Sequence, residues 1–193
     1  MILEGILTTL NDDGTVNIAP MGPIVDEALE RFILRPFTSS TTYRNLKRSG
    51  EGVFHVTDDV ELLAQAAVGQ PQPVPALTAA TEVHGMIMTG ACRWYALRVE
   101  SLDDSAERTS IVTRSVASGR LREFFGFNRA KHAVLEAAIL ATRVHLLGRD
   151  LTLAEFERLR SPVDKTGGEA ERRAFDFLLE YVRRHPALAS END

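Results

Sequence analysis

An arginine and a row of hydroxyl side chains lie close together in the stretch FILRPFTSSTTYRNL, from Phe32 to Leu46. Arg35 lies in an apolar, strand-like run that Pro36 interrupts, and residues 38–42 are all serine or threonine. A guanidinium group offers a planar fork of donors that fits the oxygens of a phosphate group, and hydroxyl groups offer further donors. Residues of these types at this spacing predict the binding of an anion, and above all of a phosphate.

The hydroxyl residues also precede a predicted helix, which covers TTYRNLKRSG and ends at Gly50 as its C-cap. The N-terminus of a helix presents unpaired N–H groups and a partial positive charge, which attract anions. If the strand leads directly into this helix, five side chains can converge on one phosphate: Arg35, Ser39, Ser40, Thr41 and Thr42. The simpler alternative is a Ser/Thr helix cap with Arg35 in solvent, but a cap needs only one hydroxyl group.

The first hundred residues show the alternation and the turn signals of β structure. MILEGILTTL and TVNIAPMGPIV are predicted strands, and NDDG between them is a hairpin turn in which Asp13-Gly14 can adopt positive φ. Further strands are predicted at RFILRPF, GVFHVT, ACRWYALRVESL and TSIVTRSVASG, with a helix at DDVELLAQAAVG. The segment QPQPVPALTAATEVHG is predicted to be a loop, because its three prolines lack N–H donors. Short connections favour antiparallel pairing in a small barrel or a strongly curved sheet.

Helical periodicity replaces this pattern from residue 121. The segment NRAKHAVLEAAILATRVHLLG is apolar around most of its circumference, so we expect a helix buried in a core or against a second subunit. TLAEFERLRS and GEAERRAFDFLLEYVRRH are predicted amphipathic helices, and SPVDKTGG between them is a predicted loop. We therefore predict an α+β fold: an antiparallel β-barrel over residues 1–120, an α-helical region over residues 121–186 and a disordered tail over residues 187–193.

Two cations, Arg129 and Lys131, lie in the first turn of the helix predicted from Asn128. Cations at this end oppose the helix dipole. Either a nearby anion offsets that cost, from a ligand or from an acidic group of a partner chain, or both side chains are simply solvated. His132 and Glu136 are spaced i, i+4, and we interpret them as a structural pair rather than as a catalytic acid and its partner.

Composition excludes several classes of protein. Cys92 is the only cysteine, which excludes an intramolecular disulfide, and the histidines show no metal-ligand spacing, so we expect no metal site. We interpret His55, on a predicted strand, as a core or interface histidine. The formal net charge of −5 argues against nucleic-acid binding. No apolar run is long enough to cross a bilayer, and MILEGILTTL lacks the basic start of a signal peptide, so we expect a cytoplasmic protein.

Two blocks of the sequence resemble the FMN-binding split barrel of flavin reductase-like proteins. GILTTLNDDGTVNIAPMGPIV matches the G-x-V-N-x-A-P hairpin strand of those proteins. FILRPFTSSTTYRNLKRSGEGVFHVTDD matches their arginine, hydroxyl cluster, helix ending in N-L…G, and following F-x-V-N strand, although Thr57 stands where flavin reductases often have asparagine. The resemblance is strongest to the family known as domain of unknown function 447 and extends over nearly the whole chain, including GFNRAKHAVLEAAILATR.

The resemblance implies an FMN cofactor and a homodimer with FMN at or near the subunit interface. It assigns the FMN phosphate to Arg35 and the hydroxyl row described above. The other residues that it implies for cofactor binding are Asn17, Ala19, Pro20, Met21, Thr57, Arg129 and Lys131.

The function that the resemblance implies is that of an oxidoreductase, which passes hydride or electrons between a reduced nicotinamide and a small acceptor. No side-chain triad or dyad is visible in the sequence, so the catalytic residues stay unassigned. One alternative is a non-catalytic flavin- or nucleotide-binding protein, such as a carrier, a sensor or an assembly partner. Another alternative is an obligate dimer without a cofactor.

Overall fold

The computed structural model describes residues 1–186, and the tail predicted for residues 187–193 lies outside the described residues. The chain divides into two compact units. The first contains Met1–Asp58 and Pro73–Phe124, and the second contains Asp59–Gln72 and the chain from Phe125 onward. One segment from the first half of the sequence therefore belongs to the second unit.

The first unit is built on a curled antiparallel sheet. Its strands, in chain order, are β1 (Gly5–Leu10), β2 (Val16–Met21), β3 (Ile24–Val25), β4 (Arg31–Leu34), β5 (Glu51–Val56), β6 (Leu77–Ala79), β7 (Met86–Met88), β8 (Arg93–Asp103) and β9 (Ser110–Arg120). Seven of them form one sheet in the spatial order β2-β1-β5-β8-β9-β4-β3. Backbone hydrogen bonds from Val25 N–H to Met1 O (2.9 Å) and from Leu3 N–H to Pro23 O (3.1 Å) curl this sheet towards closure. The predicted fold class is confirmed.

β6 and β7 form a separate two-stranded antiparallel sheet. β6 lies in the segment predicted to be a loop, so that prediction is wrong for residues 77–79. The three prolines of the segment all precede β6, and none of them removes a hydrogen-bond donor from it. Two side chains of this region pack against the outer face of the main sheet. Val83 lies beside the two-stranded sheet and Ile87 within it, and both contact the cluster that contains Val53 and Ala96.

The main core lies inside the curl of the sheet, and the side chains of β8 alternate between the two faces of the sheet. Tyr95 and Leu97 face this core, whereas Ala96 between them faces the other side. The ring of Phe32 lies 5.5 Å from the ring of Phe54 and 5.2 Å from that of Tyr95, measured between centroids. Complete burial of a large apolar side chain contributes about 1.5–3 kcal/mol relative to its exposure, so this cluster is a main source of the unit's stability.

Helix α1 (Thr41–Ser49) lies in the first unit, where a helix was predicted. The Ser40 side chain is its N-cap and accepts a hydrogen bond from Tyr43 N–H at 3.1 Å. Gly50 ends the helix with φ of 69°, a left-handed conformation that glycine adopts without a Cβ clash. The helix therefore begins directly at the row of hydroxyl residues.

The second unit consists of helices. They are α2 (Val60–Val68), α3 (Arg129–Thr142), α4 (Val144–Leu147), α5 (Arg149–Thr166) and α6 (Glu169–Arg184). α3 contacts α2, α5 and α6, which confirms the buried helix predicted there. Its buried residues are small, which allows this close approach: Ala130, Ala133, Val134, Ala137, Ala138 and Ala141.

Two predictions of helix boundaries are wrong. The long apolar helix is interrupted at Arg143, whose φ of −108° and ψ of 7° lie outside the helical range. The predicted loop SPVDKTGG is largely helical, since α5 continues through Pro162. A proline removes one backbone donor, but Phe156 and Val163 are buried on either side of it, and their burial outweighs that loss.

His55 in β5 is a core histidine, as interpreted from the sequence. Its Nδ1 atom lies 3.2 Å from Ile6 O, and its Nε2 atom accepts a hydrogen bond from Met88 N–H at 3.0 Å. The proton of the neutral ring therefore lies on Nδ1, where it is donated to Ile6 O. Burial lowers the pKa of His55 from 6.5 to about 4, because a charged ring would lose its hydration.

We expect His55 to make the stability depend on pH between 6.5 and about 4. The unfolded chain takes up a proton near pH 6.5, whereas the folded chain does so only near pH 4. The stabilisation from the neutral ring is thus complete above pH 6.5 and is lost as the pH falls. The loss amounts to about 3 kcal/mol over this interval.

Urea unfolding at a series of pH values between 7 and 4 measures this effect. The His55→Gln variant lacks the titrating group, so its free energy of unfolding should change less over the same interval. Parallel pH profiles of the two proteins would contradict the assignment.

Candidate functional site

The turn between β4 and α1 contains a buried donor without a partner. Arg35 follows β4 directly and is half-buried, and its Nε atom is inaccessible to solvent. No hydrogen-bond acceptor meets this atom within residues 1–186. Leaving a buried donor unsatisfied costs about 1–3 kcal/mol, and more for a charged group. An anion bound beside Arg35 would remove that cost.

Two further arginines lie at this turn, and neither was predicted from the sequence. Arg44 folds back over the first turn of α1, where it donates to Ser39 O at 2.7 Å and to Thr41 Oγ1 at 2.9 Å. Arg108 donates from Nε to the carbonyl oxygen of Arg35 at 3.4 Å. Arg44 is a cation in the first turn of its helix and opposes the helix dipole, as Arg129 and Lys131 do in theirs. This unfavourable position is the sequence signal that could have identified Arg44 as a candidate for anion binding.

The row of hydroxyl residues divides into inner and outer positions. Ser40 is engaged as the N-cap of α1, and Thr42 is buried, where it accepts a hydrogen bond from Asn17 Nδ2 at 3.0 Å. Ser39 is exposed and Thr41 is half-buried. We call Ser40 and Thr42 the inner members of the row, because the helix cap and the buried bond to Asn17 engage them, and Ser39 and Thr41 the outer members.

Thr42 belongs to a buried polar network that joins α1 to the β1–β2 hairpin. Asn17 Nδ2 donates to Thr42 Oγ1 and, at 3.2 Å, to Thr9 Oγ1. Asn45 Nδ2 donates to the same Thr9 oxygen at 3.0 Å and to Asn11 Oδ1 at 2.9 Å. Each such bond contributes about 0.5–1.5 kcal/mol net, and losing one partner costs more because the other stays buried. The network fixes where α1 starts.

The connection between β8 and β9 holds the other side of the turn. Thr109 Oγ1 donates to Pro36 O at 2.8 Å, and Thr38 N–H donates to Glu107 O at 2.9 Å. These two bonds bind the backbone on both sides of Phe37, so the turn is supported along its whole length.

Asp104 in the same connection is bound to α1. It accepts hydrogen bonds from Lys47 Nζ at 2.7 Å and from the Tyr43 hydroxyl at 2.6 Å. The hydrogen bond from Lys47 and then that from Tyr43 lower the pKa of Asp104, so its carboxylate is charged at neutral pH. This negative charge is compensated by Lys47 and does not neutralise the arginines of the turn.

β2 is an edge strand of the sheet and has β1 as its single neighbour. Along an antiparallel pair of strands, residue pairs that exchange backbone hydrogen bonds alternate with pairs that do not, and Asn11 with Thr15 is a hydrogen-bonded pair. By this alternation Ile18 belongs to a pair that is not hydrogen-bonded, so its backbone N–H and C=O point to the open edge. Pro20 has no N–H and occupies a position where the ladder needs none. The strand contains four of the residues that the family resemblance implies for cofactor binding: Asn17, Ala19, Pro20 and Met21.

Thr57 is buried at the end of β5. The carboxylate of the next residue, Asp58, accepts hydrogen bonds from Arg122 Nη2 at 2.5 Å and from Arg122 Nη1 at 3.1 Å. Burial raises the pKa of the Cys92 thiol, and the charge of Asp58 raises it further. Cys92 is therefore a small buried residue rather than a nucleophile.

Arg129 and Lys131 lie at the start of α3, in the second unit, whereas Arg35 lies in the first. Lys131 Nζ forms an ion pair with Glu171 at 2.9 Å. Burial acts to raise the pKa of Glu171, but hydrogen bonds from Lys131 and from Gly168 N–H outweigh it and lower this pKa. The anion that Lys131 meets is thus an acidic group of its own chain, while Arg129 is exposed.

Within the described residues, no group of three or more histidine, cysteine, aspartate or glutamate side chains is arranged to hold a metal ion. Among the helices of the same residues, none is both long enough and apolar enough to span a membrane.

The fold is that of flavin reductases and related flavin-binding barrels. The flavin reductase of styrene monooxygenase from Pseudomonas putida S12 is 17% identical, with a TM-score of 0.52 over 62% of this chain and 79% of that one. An FMN-binding protein from Thermus thermophilus, solved with bound p-hydroxybenzaldehyde, is 14% identical, with a TM-score of 0.53 over 61% of this chain and 71% of that one. At these identities the likeness defines the fold class.

Within this fold class, two family models identify the family of the chain. The N-terminal domain of the protein of unknown function DUF447 matches residues 3–122, and a second DUF447 model matches residues 128–180. The chain belongs to the DUF447 family, which confirms the resemblance seen in the sequence. An FMN-bound DUF447 protein from Methanosarcina mazei is 25% identical, with a TM-score of 0.80 over 93% of this chain and 94% of that one. No curated protein matches.

We expect Thr42 and Thr41 to respond differently to the loss of their hydroxyl groups. Thr42→Val keeps the shape of the side chain but leaves a buried Asn17 donor without its acceptor, so it should lower the free energy of unfolding by about 1–3 kcal/mol. Thr41→Val is the matched control and should change it by less than about 0.5 kcal/mol. Urea unfolding measures both values, and equal effects would contradict the division of the hydroxyl row.

Proposed function

We propose that this chain is an FMN-binding flavoprotein and that the turn between β4 and α1 binds the FMN phosphate. One observation carries the proposal: the buried Nε atom of Arg35 lacks a hydrogen-bond partner within the described chain. Such donors are rare in native proteins, and each calls for an explanation such as a bound water, ion or ligand. The FMN-bound relative from Methanosarcina mazei, similar over almost the whole chain, supports FMN as that ligand.

The charge at the turn fits a phosphate. Arg35 has no partner for its buried nitrogen, and the hydrogen bonds of Arg44 and Arg108 go to carbonyl and hydroxyl oxygens. In the described structure no carboxylate oxygen forms an ion pair with these three guanidinium groups. A phosphate monoester carries a charge of about −1.5 to −2 at neutral pH, which would compensate most of this excess. Ser39 and Thr41 supply hydroxyl groups at the same turn, beside the helix N-terminus.

We propose that the flavin ring binds along β2, which contains four of the residues implied for cofactor binding. The open backbone edge at Ile18 offers both a donor and an acceptor to the polar edge of the ring, and Ala19 and Met21 offer apolar contact. Asn17 would then act indirectly, since its side-chain amide already binds Thr9 and Thr42. Contacts of FMN with Thr57, Arg129 and Lys131 stay predictions.

The finer proposal is an oxidoreductase that passes hydride or electrons between a reduced nicotinamide and a small acceptor. Bound FMN supplies this chemistry, so the protein needs to position its cofactor rather than to provide a catalytic triad. His55 is unsuited to proton transfer, because both of its ring nitrogens are engaged in the core. The alternative of a non-catalytic flavin carrier or sensor uses the same binding site and differs only in reactivity.

We also propose that the protein is a homodimer. β2 leaves one backbone edge of the sheet unpaired, and the segment Leu121–Phe127 exposes several apolar side chains, with Phe127 95% exposed. Exposed apolar patches of this kind mark interaction surfaces. A second copy of the chain would cover them, as the family resemblance implies.

We expect Arg35→Met to weaken FMN binding by about 1–3 kcal/mol, which corresponds to roughly 5–150-fold in the dissociation constant. The same substitution removes an unsatisfied buried donor, so the free energy of unfolding of the FMN-free protein should stay the same or rise. Quenching of FMN fluorescence and urea unfolding measure the two effects.

Arg31→Met is the matched control, because Arg31 is an exposed arginine at the start of the same strand. It should leave FMN affinity within about twofold of the unsubstituted protein. An Arg35→Met protein that binds FMN normally, or that loses affinity only to the extent of the control, would refute the proposed phosphate site.

We expect the FMN-loaded protein to absorb at about 450 nm and to bleach when mixed anaerobically with NADH or NADPH. Stopped-flow absorbance measures the rate, which for an enzyme should reach at least about 1 per second and exceed that of free FMN. A stable yellow protein that reduces no faster than free FMN would favour the carrier or sensor instead.

A further inference from the structure

We propose that a pocket of the first unit binds small organic carboxylates, with Arg93 and Tyr95 as the groups that hold the carboxylate. The pocket has a volume of about 270 Å³ and lies where β5 ends and β8 begins. Leu29 lines it at one end of β4, whereas Arg35 follows the other end of that strand. The inference stands independently of the proposed FMN phosphate site.

The walls of the pocket are mainly apolar. Its apolar lining consists of Leu3, Leu29, Val56 and Phe124, and its other lining residues are Cys92, Arg93, Tyr95 and Glu123. Leu29 has φ of 55°, a left-handed conformation that costs a non-glycine residue about 1–2 kcal/mol. Strain of this kind concentrates at binding sites, and here it holds an apolar side chain against the core and at the pocket wall.

Tyr95 contributes a hydroxyl group without a protein partner. The residue lines the pocket and is only 7% exposed, and its ring packs 5.2 Å from that of Phe32. Buried tyrosine hydroxyl groups usually form a hydrogen bond. The hydroxyl of Tyr95 has no such bond to the described part of the chain, so it is a donor that a ligand can use.

Arg93 adds a charge to the same face. Arg93 and Tyr95 are two positions apart on β8, so their side chains point to one side of the sheet. Arg93 lies directly opposite Arg120 on β9, and like charges placed opposite each other are unfavourable. Glu123 forms an ion pair with Arg120 at 2.6 Å, whereas no acidic group of residues 1–186 pairs with Arg93. Glu123 also lines the pocket, but Arg120 compensates its charge, so the charge of Arg93 is left uncompensated there.

Size and charge define the ligand class. Clefts that hold drug-sized ligands have volumes of about 300–1,000 Å³, so this pocket suits a smaller molecule. One uncompensated guanidinium and one hydroxyl donor match the two oxygens of a carboxylate. The apolar walls then require a compact hydrocarbon or aromatic body. A small aromatic or branched aliphatic monocarboxylate meets all three conditions.

Calorimetric titration of the full-length protein with benzoate tests the proposal. We expect saturable binding with a dissociation constant near 1 mM, a typical affinity for a fragment of this size. Benzamide has the same shape without the charge, and inorganic phosphate has charge without the apolar body. Both should bind at least about tenfold more weakly than benzoate.

Two substitutions test the assigned residues. Arg93→Gln should weaken benzoate binding at least about tenfold, and Tyr95→Phe, which keeps the ring in the core, by about three- to tenfold. Arg31→Gln is the matched control and should leave the affinity unchanged. Arg35→Met should also bind benzoate normally, so a failure of the FMN site can be told apart from a failure of this pocket.

The titrations are made with both FMN-free and FMN-loaded protein, and saturable binding to either form supports the proposal. Absence of saturable benzoate binding to both forms up to about 20 mM would overturn it. Equal binding of benzamide, or equal losses with Arg93→Gln and Arg31→Gln, would overturn it as well, because the interaction would then not depend on a carboxylate held by Arg93.

Discussion

Hydrogen bonds from two buried amides, Asn17 and Asn45, hold the first helix of this protein on the β1–β2 hairpin. Both amides share the hydroxyl oxygen of Thr9, and Asn17 also reaches Thr42 in the first turn of α1. In an apolar interior such groups have no alternative partner, so the helix can start at only one place on the sheet without leaving a donor unsatisfied. The turn before the helix is fixed as a consequence.

That fixed turn explains why the hydroxyl row is longer than a helix cap requires. The inner members of the row build the structure, since Ser40 caps the helix and Thr42 joins the amide network. The outer members face the surface beside Arg44, Arg108 and the buried nitrogen of Arg35. Positive charge accumulates there although the whole chain has a formal net charge of −5. The barrel thus holds the positively charged side chains of the turn in a fixed place, close to one another.

The features that could be predicted from the sequence are those that depend on residues close together along the chain. The positive φ of Gly14, a Ser/Thr cap, which the structure assigns to Ser40, and the left-handed Gly50 follow from residue types at turns and helix ends. Arg108 was missed because its contact with the Arg35 carbonyl joins positions 73 residues apart, which no local pattern records. The helix through Pro162 was missed because burial of Phe156 and Val163 outweighed a local signal against helix. Strand β6 was missed because the prolines of its segment all precede it and leave its hydrogen-bond donors in place.

The path of the chain between the two units has a consequence for biosynthesis. Residues 59–72 are translated early, but the helices that pack against α2 come from the region after Phe125. Until the later helices have been synthesised, the apolar side chains Leu63 and Ala64 of α2 lack the helices that cover them in the folded protein. Cutting the gene after Phe124 would therefore not yield a self-sufficient barrel. A short hydrophilic bridge in place of residues 59–72 would remove this uncovered helix from such a shortened chain.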